Sequence, residues 1–309
     1  MSILLIAQNR DMKPVRDTLL REDPDLEVEL WPAVRNPGAV QFAIAWNQPG
    51  EVFRQFPNLK AVSSFGAGAD HLLSDPAIPP HIDILRLETD SIDRQMADYV
   101  EGACLQILRS FSQYMRQQMR GEWNQLPHTT REHLTIGILG LGRIGSLTAR
   151  ELANSGWNVS GWARSEKSLE GVRTFHGASE LSGFLSATRI LVCLLPLTNE
   201  TEGILNLELF KKLKRPAHLI NAGRGAHLVE EDLIYALDTG ILQSATLDVF
   251  LEEPLPDTHP FWNRERVTIT PHIAAITEPE DVAGQIVENY KRVISGMKPL
   301  HVIDRSRGY

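Results

Sequence analysis

The stretch that most constrains what this chain can fold into is residues 135–145, TIGILGLGRIG. A short apolar run of strand type leads into Gly140-Leu141-Gly142-Arg143-Ile144-Gly145, and a helical pattern continues through Leu152. Strand, glycine turn and helix start in that order make a pyrophosphate-binding turn. The first glycine permits the tight turn, the second lets backbone approach the phosphates, and the third lets the helix pack on the strand. Helix-start N–H groups, those of Arg143 and Ile144 among them, then face the anion. On spacing alone a structural glycine turn fits as well, and the flanking strand and helix favour the nucleotide.

Around this turn the chain alternates strands and helices. Strand-like segments at 3–7, 27–31, 42–45, 61–65 and 84–87 are separated by helical ones at 14–21, 51–56 and 69–73. Such alternation predicts a mostly parallel sheet covered on both faces. A proline-free helical pattern from Gln95 to about Gly121 leaves this first domain, and a loop follows at 123–131. A Rossmann-type series comes next, with strands at 135–139, 157–162, 190–194, 217–221, 244–249 and 267–270. Its helices are read at 143–155, 181–186, 206–213 and 230–238, and a last helix at 280–295 returns to the first domain. The expected architecture is α/β, two Rossmann/flavodoxin-like domains with parallel sheets. Residues 1–94 with 285–309 would form one and residues 95–284 the nucleotide-binding other.

Composition narrows the function. Hydrophobic content of 42% and charged content of 23% are those of a soluble globular protein. Apolar runs such as 190–195 fall far short of the ~20 residues a membrane span needs. The apolar start at 2–7 has no basic region before it and no cleavage pattern after it, and reads as a strand rather than a signal peptide. Cys104 and Cys193 in core-like positions suggest a reducing cytoplasm, with neither a disulfide framework nor a metal site. A net charge of −8 would repel nucleic acid, so an anionic cofactor or substrate needs a local cluster of cations.

Candidate cations exist. At the end of the second Rossmann strand, Ala163 stands where an acid would bond the ribose of NAD, and Arg164, Ser165 and Lys167 follow. Two cations and a hydroxyl suit the 2′-phosphate of NADP, although a solvated loop has the same look and Glu166 would bring in an acid if the register slipped. Asn221-Ala222-Gly223-Arg224-Gly225 ends another strand, where flanking glycines let a guanidinium turn toward a carboxylate or carbonyl. Glu252 and Glu253 follow a third strand end, and His272 a fourth. Taken singly, a histidine is more often a satisfied polar group and an Arg–Glu pair a structural ion pair. The remaining histidines, including His71, His227 and His259, are read in that way.

Five ordered motifs, GLGRIG, LLPLTNET, NAGRG, LDVFLEEPLP and TPHIAAIT, with GAGADHL near residue 70 and QMADYV opening the long helix, resemble the D-2-hydroxyacid dehydrogenase family over nearly the whole chain. The ARSEK segment, the HIAAIT ending, Trp46 and the RSRGY terminus look most like its NADPH-dependent glyoxylate/hydroxypyruvate reductase A branch. The resemblance implies an active site in the interdomain cleft and hydride transfer from NADPH to a small anionic 2-oxo acid: glyoxylate to glycolate, or hydroxypyruvate to D-glycerate. It also implies a homodimer. The alternatives are a different or bulkier 2-oxo acid, or a non-catalytic NADP-binding regulator on the same fold.

By that resemblance Arg224 would hold the substrate's carboxylate and carbonyl. His272 would donate the proton, and Glu253 rather than Glu252 would bond the imidazole's other nitrogen. A carboxylate there favours the protonated ring, and a developing alkoxide needs both the proton and the nearby positive charge. Asp248 would meet the nicotinamide carboxamide. Leu195, Pro196 and Thr201 would line the cofactor wall, with Ala222 and Ala274 also at cofactor-binding positions. In the first domain, Gly66, Ala67 and Gly68 would offer backbone N–H groups to a carboxylate, as a nest does, and Trp46 would cap a small pocket. A tight strand-to-helix turn and a core-edge tryptophan are the plain readings of those two features. Arg143, Arg164, Lys167 and Arg224 would together be the cation cluster that the net charge demands.

Overall fold

The computed structural model describes residues 1–308 and separates into two compact units, residues 1–92 with 277–308 and residues 93–276. The first unit contains β1 (Ser2–Ala7), α1 (Lys13–Glu22), β2 (Glu27–Leu30), β3 (Val40–Trp46), β4 (Ala61–Ser64), α2 (Asp70–Leu73) and β5 (Asp83–Leu85). The helix α3 (Asp90–Leu108) follows, then α4 (Phe111–Arg120). In the second unit come β6 (Thr135–Leu139), α5 (Arg143–Asn154), β7 (Asn158–Ala163), β8 (Arg173–His176), α6 (Gly177–Ala187) and β9 (Ile190–Cys193). They are followed by α7 (Leu207–Phe210), β10 (His218–Asn221), α8 (Glu230–Asp238), β11 (Ser244–Leu247) and β12 (Val267–Ile269), and α9 (Pro279–Ile294) closes the first unit.

Both sheets are parallel. The first has the order β2-β1-β3-β4-β5, the flavodoxin-like order, and the second β12-β11-β10-β9-β6-β7-β8. Strand β9 shows why: Ile190 and Val192 join one apolar core, and Leu191 and Cys193 join the core on the opposite face. Alternation with both faces apolar is what a sheet covered by helices on two sides requires. Phe184 and Phe210, both 0% exposed, each contribute about 1.5–3 kcal/mol to the second of these cores. The order reverses between β6 and β9, so the glycine turn after β6 opens at a topological switch point, where ligands of such sheets bind.

Three features differ from the sequence reading. The long helix is two helices, broken where Ser110 takes a left-handed φ of 55°. The short edge strand β8 went unread because its RTFH segment is half exposed and has no buried alternation. A domain boundary at 285 would cut α9, whose Val282, Ile286, Tyr290 and Val293 are buried in one cluster with Val15 and Leu19 of α1. Among the described residues no helix is long and apolar enough to cross a membrane. Nor does any group of three His, Cys, Asp or Glu side chains there suit a metal ion.

Candidate active site

The site in the second unit starts from the turn between β6 and α5. A Cβ on Gly145 would fall 1.9 Å from the Gly140 carbonyl oxygen, so the helix can reach the turn only with glycine there. Gly142 differs. Its φ of −75° suits any residue, and a Cβ on it would meet no protein atom within 4 Å. Neither backbone nor packing asks for glycine at 142, as expected of a position kept small for a phosphate. Gly142 is also the N-cap of α5, which has no side-chain cap and makes its first turn through the Ser146 N–H to the Gly142 carbonyl. That leaves a helix start suited to an anion. The Arg143 side chain turns away from the expected cation cluster: its Nε donates to Asp93 Oδ2 at 2.7 Å. Asp93 is 5% exposed and needs that counter-charge, so Arg143 brings little net charge to the site.

Arg224, Glu253 and His272 follow the carboxyl ends of three adjacent strands, β10, β11 and β12. Asn221 shapes the first turn, its Nδ2 donating to the Arg224 carbonyl and its Oδ1 accepting from the Gly223 N–H. A Cβ on Gly225 would lie 2.0 Å from the Phe250 carbonyl carbon, so glycine there lets this turn press on the next one. In that second turn the Phe250 N–H donates to Glu253 Oε1 at 2.9 Å. The other oxygen, Oε2, takes a 2.7 Å bond from His272 Nδ1, with both side chains 30% exposed. Burial favours the neutral form of Glu253. The hydrogen bond and charge of His272, the Phe250 N–H and the Arg224 guanidinium outweigh it and hold the carboxyl below its ordinary range. Glu253 is therefore a fixed anion that holds the imidazole through Nδ1.

His272 itself has a left-handed φ of 55°, a backbone state that costs of order 1–3 kcal/mol and persists only when neighbours impose it. Asp248 imposes it. Its carbonyl accepts the His272 N–H, and its buried carboxylate accepts from the Ile273 N–H, the Ala274 N–H and the Thr270 hydroxyl, at 2.7 to 2.9 Å. The contacts of Asp248 thus shape the histidine loop. Because Thr270 donates to that carboxylate, Tyr99 must donate to Thr270 across 2.7 Å. Burial pushes the Tyr99 phenol up to about 12, which keeps its proton in place. Gln95 closes the loop's far end by pairing its amide with both the N–H and the carbonyl of Ile276. Tyr99, Thr270 and Gln95 lie within the QMADYV and TPHIAAIT motifs, but no role was read for them from the sequence.

Two further segments meet the nucleotide expectation. Ala163 is the last residue of β7, which puts Arg164, Ser165 and Lys167 directly beyond the strand in exposed positions, with Glu166 three residues past its end. Arg164 lies 3.8 Å from Glu200, with the two side chains 54% and 76% exposed. Such a pair contributes at most about 1 kcal/mol and yields readily to a phosphate. Leu195 and Pro196 follow β9, and the Thr201 hydroxyl donates to the Pro196 carbonyl at 2.7 Å, bracing the turn rather than projecting from it. Ala222 and Ala274 are buried beside these turns.

The first unit carries its own cluster at the carboxyl edge of its sheet. Trp46 ends β3, and a Cβ on Gly66 would come within 2.9 Å of its ring. The Trp46 ring meets His71 edge-on, with centroids 5.4 Å apart. The Ser64 hydroxyl donates to the Gly68 carbonyl and closes the turn. Among the described residues the Ala67 and Gly68 N–H groups find no protein acceptor. The sequence reading missed Arg10, whose guanidinium stacks 4.9 Å from the Phe65 ring and donates to the Thr277 carbonyl.

A helix start with room for a phosphate, set in the same sheet as a guanidinium and a carboxylate-gripped imidazole, defines the class as a nucleotide-dependent oxidoreductase. The chain belongs to the D-isomer specific 2-hydroxyacid dehydrogenase family, whose NAD binding domain model matches residues 102–274. It is 42% identical over 292 residues, 93% of each chain, to a glyoxylate/hydroxypyruvate reductase A of Serratia proteamaculans. A crystal structure of a D-isomer specific 2-hydroxyacid dehydrogenase from Xanthobacter autotrophicus Py2, in complex with NADPH and MES, superposes with a TM-score of 0.94 at 38% identity, covering 100% of this chain and 99% of that one. An NADPH-dependent glyoxylate/hydroxypyruvate reductase of Sinorhizobium meliloti, in complex with NADP and sulfate, gives 0.93 at 36% identity with full coverage of both chains.

Proposed function

We propose that this chain is an NADPH-dependent reductase of small 2-oxo acids, converting glyoxylate to glycolate and hydroxypyruvate to D-glycerate. The observation that carries the reading is the 2.7 Å Glu253–His272 pair with Arg224 beside it. The curated relatives that match 93% of the chain support the substrate class. When bound, NADPH supplies the hydride that reduces the carbonyl carbon. Arg224 holds the substrate carboxylate through its planar fork. Glu253 accepts the hydrogen bond from His272 Nδ1–H and stays ionised, so Nε2–H is the donor aimed at the carbonyl oxygen, and the proton it gives up is restored from solvent. Gly142 and the start of α5 hold the pyrophosphate, and Arg164 with Lys167 the 2′-phosphate. In the first unit, Gly66, Ala67 and Gly68 are a proposed carboxylate nest and Trp46 a proposed size limit, supported by the two N–H groups without an acceptor.

Steady-state turnover over a panel of 2-oxo acids tests this. Glyoxylate and hydroxypyruvate should have the highest kcat/KM, and a branched or aromatic 2-oxo acid outrunning both would overturn the substrate assignment. The cofactor loop has its own test. Arg164→Leu combined with Lys167→Ala should raise KM for NADPH about tenfold to hundredfold, the loss expected for one or two charge-assisted bonds. The kcat/KM with NADH should stay within a few-fold, and an equal loss with both cofactors would remove the 2′-phosphate role.

The reading includes a cytoplasmic homodimer. Both cysteines are buried free thiols, as a reducing compartment allows. Helix α4 buries none of its residues, and Phe111, Met115 and Met119 form one exposed stripe with Trp123, 99% exposed, just beyond it. A row of large apolar side chains at i, i+4 and i+8 costs free energy in water and suits a second copy of the chain. Light scattering should report a dimer for the wild type and a monomer for Met115→Glu with Met119→Glu. A monomeric wild type would refute the assignment.

A further inference from the structure

His227, read from the sequence as an ordinary polar group, sits in the short turn Gly225–His227 and is 0% exposed. Its Nδ1 accepts the backbone N–H of Arg224 at 3.0 Å, and its Nε2 lies 3.3 Å from the Pro196 carbonyl oxygen. A backbone N–H can only donate and a carbonyl can only accept, so one form of the ring satisfies both contacts: neutral, with the proton on Nε2. The imidazolium would set an N–H against the Arg224 N–H. Cys193 Sγ stands 3.7 Å from Nδ1, and burial pushes that thiol up to about 12, so the pair is a thiol beside a neutral imidazole and no nucleophile. The turn leaves the ring little play, since the backbone N–H of His227 donates to the Arg224 carbonyl and its backbone carbonyl accepts from the Leu205 N–H. A Cβ on Gly223 would lie 3.0 Å from Nδ1.

The two groups that this ring ties together are the ones to which the proposed function gives separate tasks. Arg224 is the carboxylate clamp, and the Leu195–Pro196 turn is the cofactor wall, with the Pro196 carbonyl already held from the other side by Thr201. We infer that His227 is a positioning residue: its neutral imidazole spans Arg224 and Pro196 and sets the place of the substrate clamp relative to the cofactor wall. It touches no reacting atom and acts through Arg224, so the inference rests on the role given to Arg224 above. A histidine merely filling the core would be replaceable by any ring of similar size.

Two variants separate these roles. His227→Phe keeps the ring volume and loses both contacts, whereas His227→Gln keeps an acceptor and a donor. Melting curves and NADPH fluorescence establish that each is folded and binds cofactor. The Phe variant should lose about tenfold to hundredfold in kcat/KM for glyoxylate, the scale of an ångström's misplacement in a reacting site. KM for glyoxylate should rise by a larger factor than KM for NADPH, and the Gln variant should recover most of the loss. A folded Phe variant within about twofold of wild type overturns the inference. So does a folded Gln variant as impaired as a folded Phe one. If the Phe variant does not fold, the wild-type ring decides. ¹⁵N-histidine spectra near neutral pH, with His227 assigned by its loss in His227→Gln, should show the neutral Nε2–H form, and the Nδ1–H form or the imidazolium would refute the placement. A wild type inactive on every 2-oxo acid would instead remove the proposed function, and an active wild type with an unaffected Phe variant removes only the role of His227.

Discussion

Replacing His272 with alanine is expected to lower kcat about 10²- to 10⁴-fold, the range that a positioned general acid contributes, while NADPH binding stays intact. Glu253 Oε2 holds Nδ1 at 2.7 Å, and Asp248 enforces the left-handed backbone of His272. Glu253→Gln should cost less in kcat, because the amide oxygen can still accept the hydrogen bond from Nδ1. Pre-steady-state measurements report both effects. Stability carries a matching signature. The folded Glu253 carboxyl titrates below its ordinary value, so its contribution is complete above the unfolded value of roughly 4.3 and fades as pH falls through the folded one. The stability gap between wild type and Glu253→Gln should therefore be level near neutrality and close in acid. Near wild-type turnover in His272→Ala would show that the proton comes from elsewhere.

Arg224→Ala should have the second large effect, a fall of about 10²- to 10⁴-fold in kcat/KM for the oxo acid. That is the loss of two charge-assisted hydrogen bonds at about 1.5–3 kcal/mol each. Arg224→Lys should recover little of it, because a point charge does not reproduce the planar fork. Glu253 should respond too. The Arg224 charge is one of the influences holding its carboxyl down, so removing it relaxes that carboxyl upward and narrows the acid side of the pH profile. If KM for glyoxylate stayed unchanged in Arg224→Ala, the carboxylate would be held by another group.

What the sequence disclosed were features written into neighbouring residues. The alternation of Ile190, Leu191, Val192 and Cys193 signals a strand apolar on both faces, and the glycines from 140 to 145 signal the turn and the helix start that follows. Arg224, Glu253 and His272 could each be placed at a strand end, and their approach follows once three parallel strands lie side by side. Other partners in this unit were not legible, because each lies far along the chain. Arg143 finds Asp93 across 50 residues, Tyr99 finds Thr270 across 171, and Gln95 finds Ile276 across 181. No local pattern encodes such pairs. Asp248 sat at a recognisable strand end, yet its use as the clamp of the histidine loop depends on the path of residues 270–274, which composition does not reveal. The break at Ser110 was hidden for a different reason. No proline or glycine marks it, only a serine in a left-handed conformation.

A crystal structure of the chain with NADP and oxalate bears most directly on the assignment of the site, since oxalate mimics the carboxylate and carbonyl of glyoxylate. Oxalate should be paired with the Arg224 guanidinium and lie about 3 Å from His272 Nε2, with the Glu253–His272 bond intact and the 2′-phosphate against Arg164 or Lys167. Oxalate bound away from Arg224 and His272, or a 2′-phosphate met by neither cation, would contradict it.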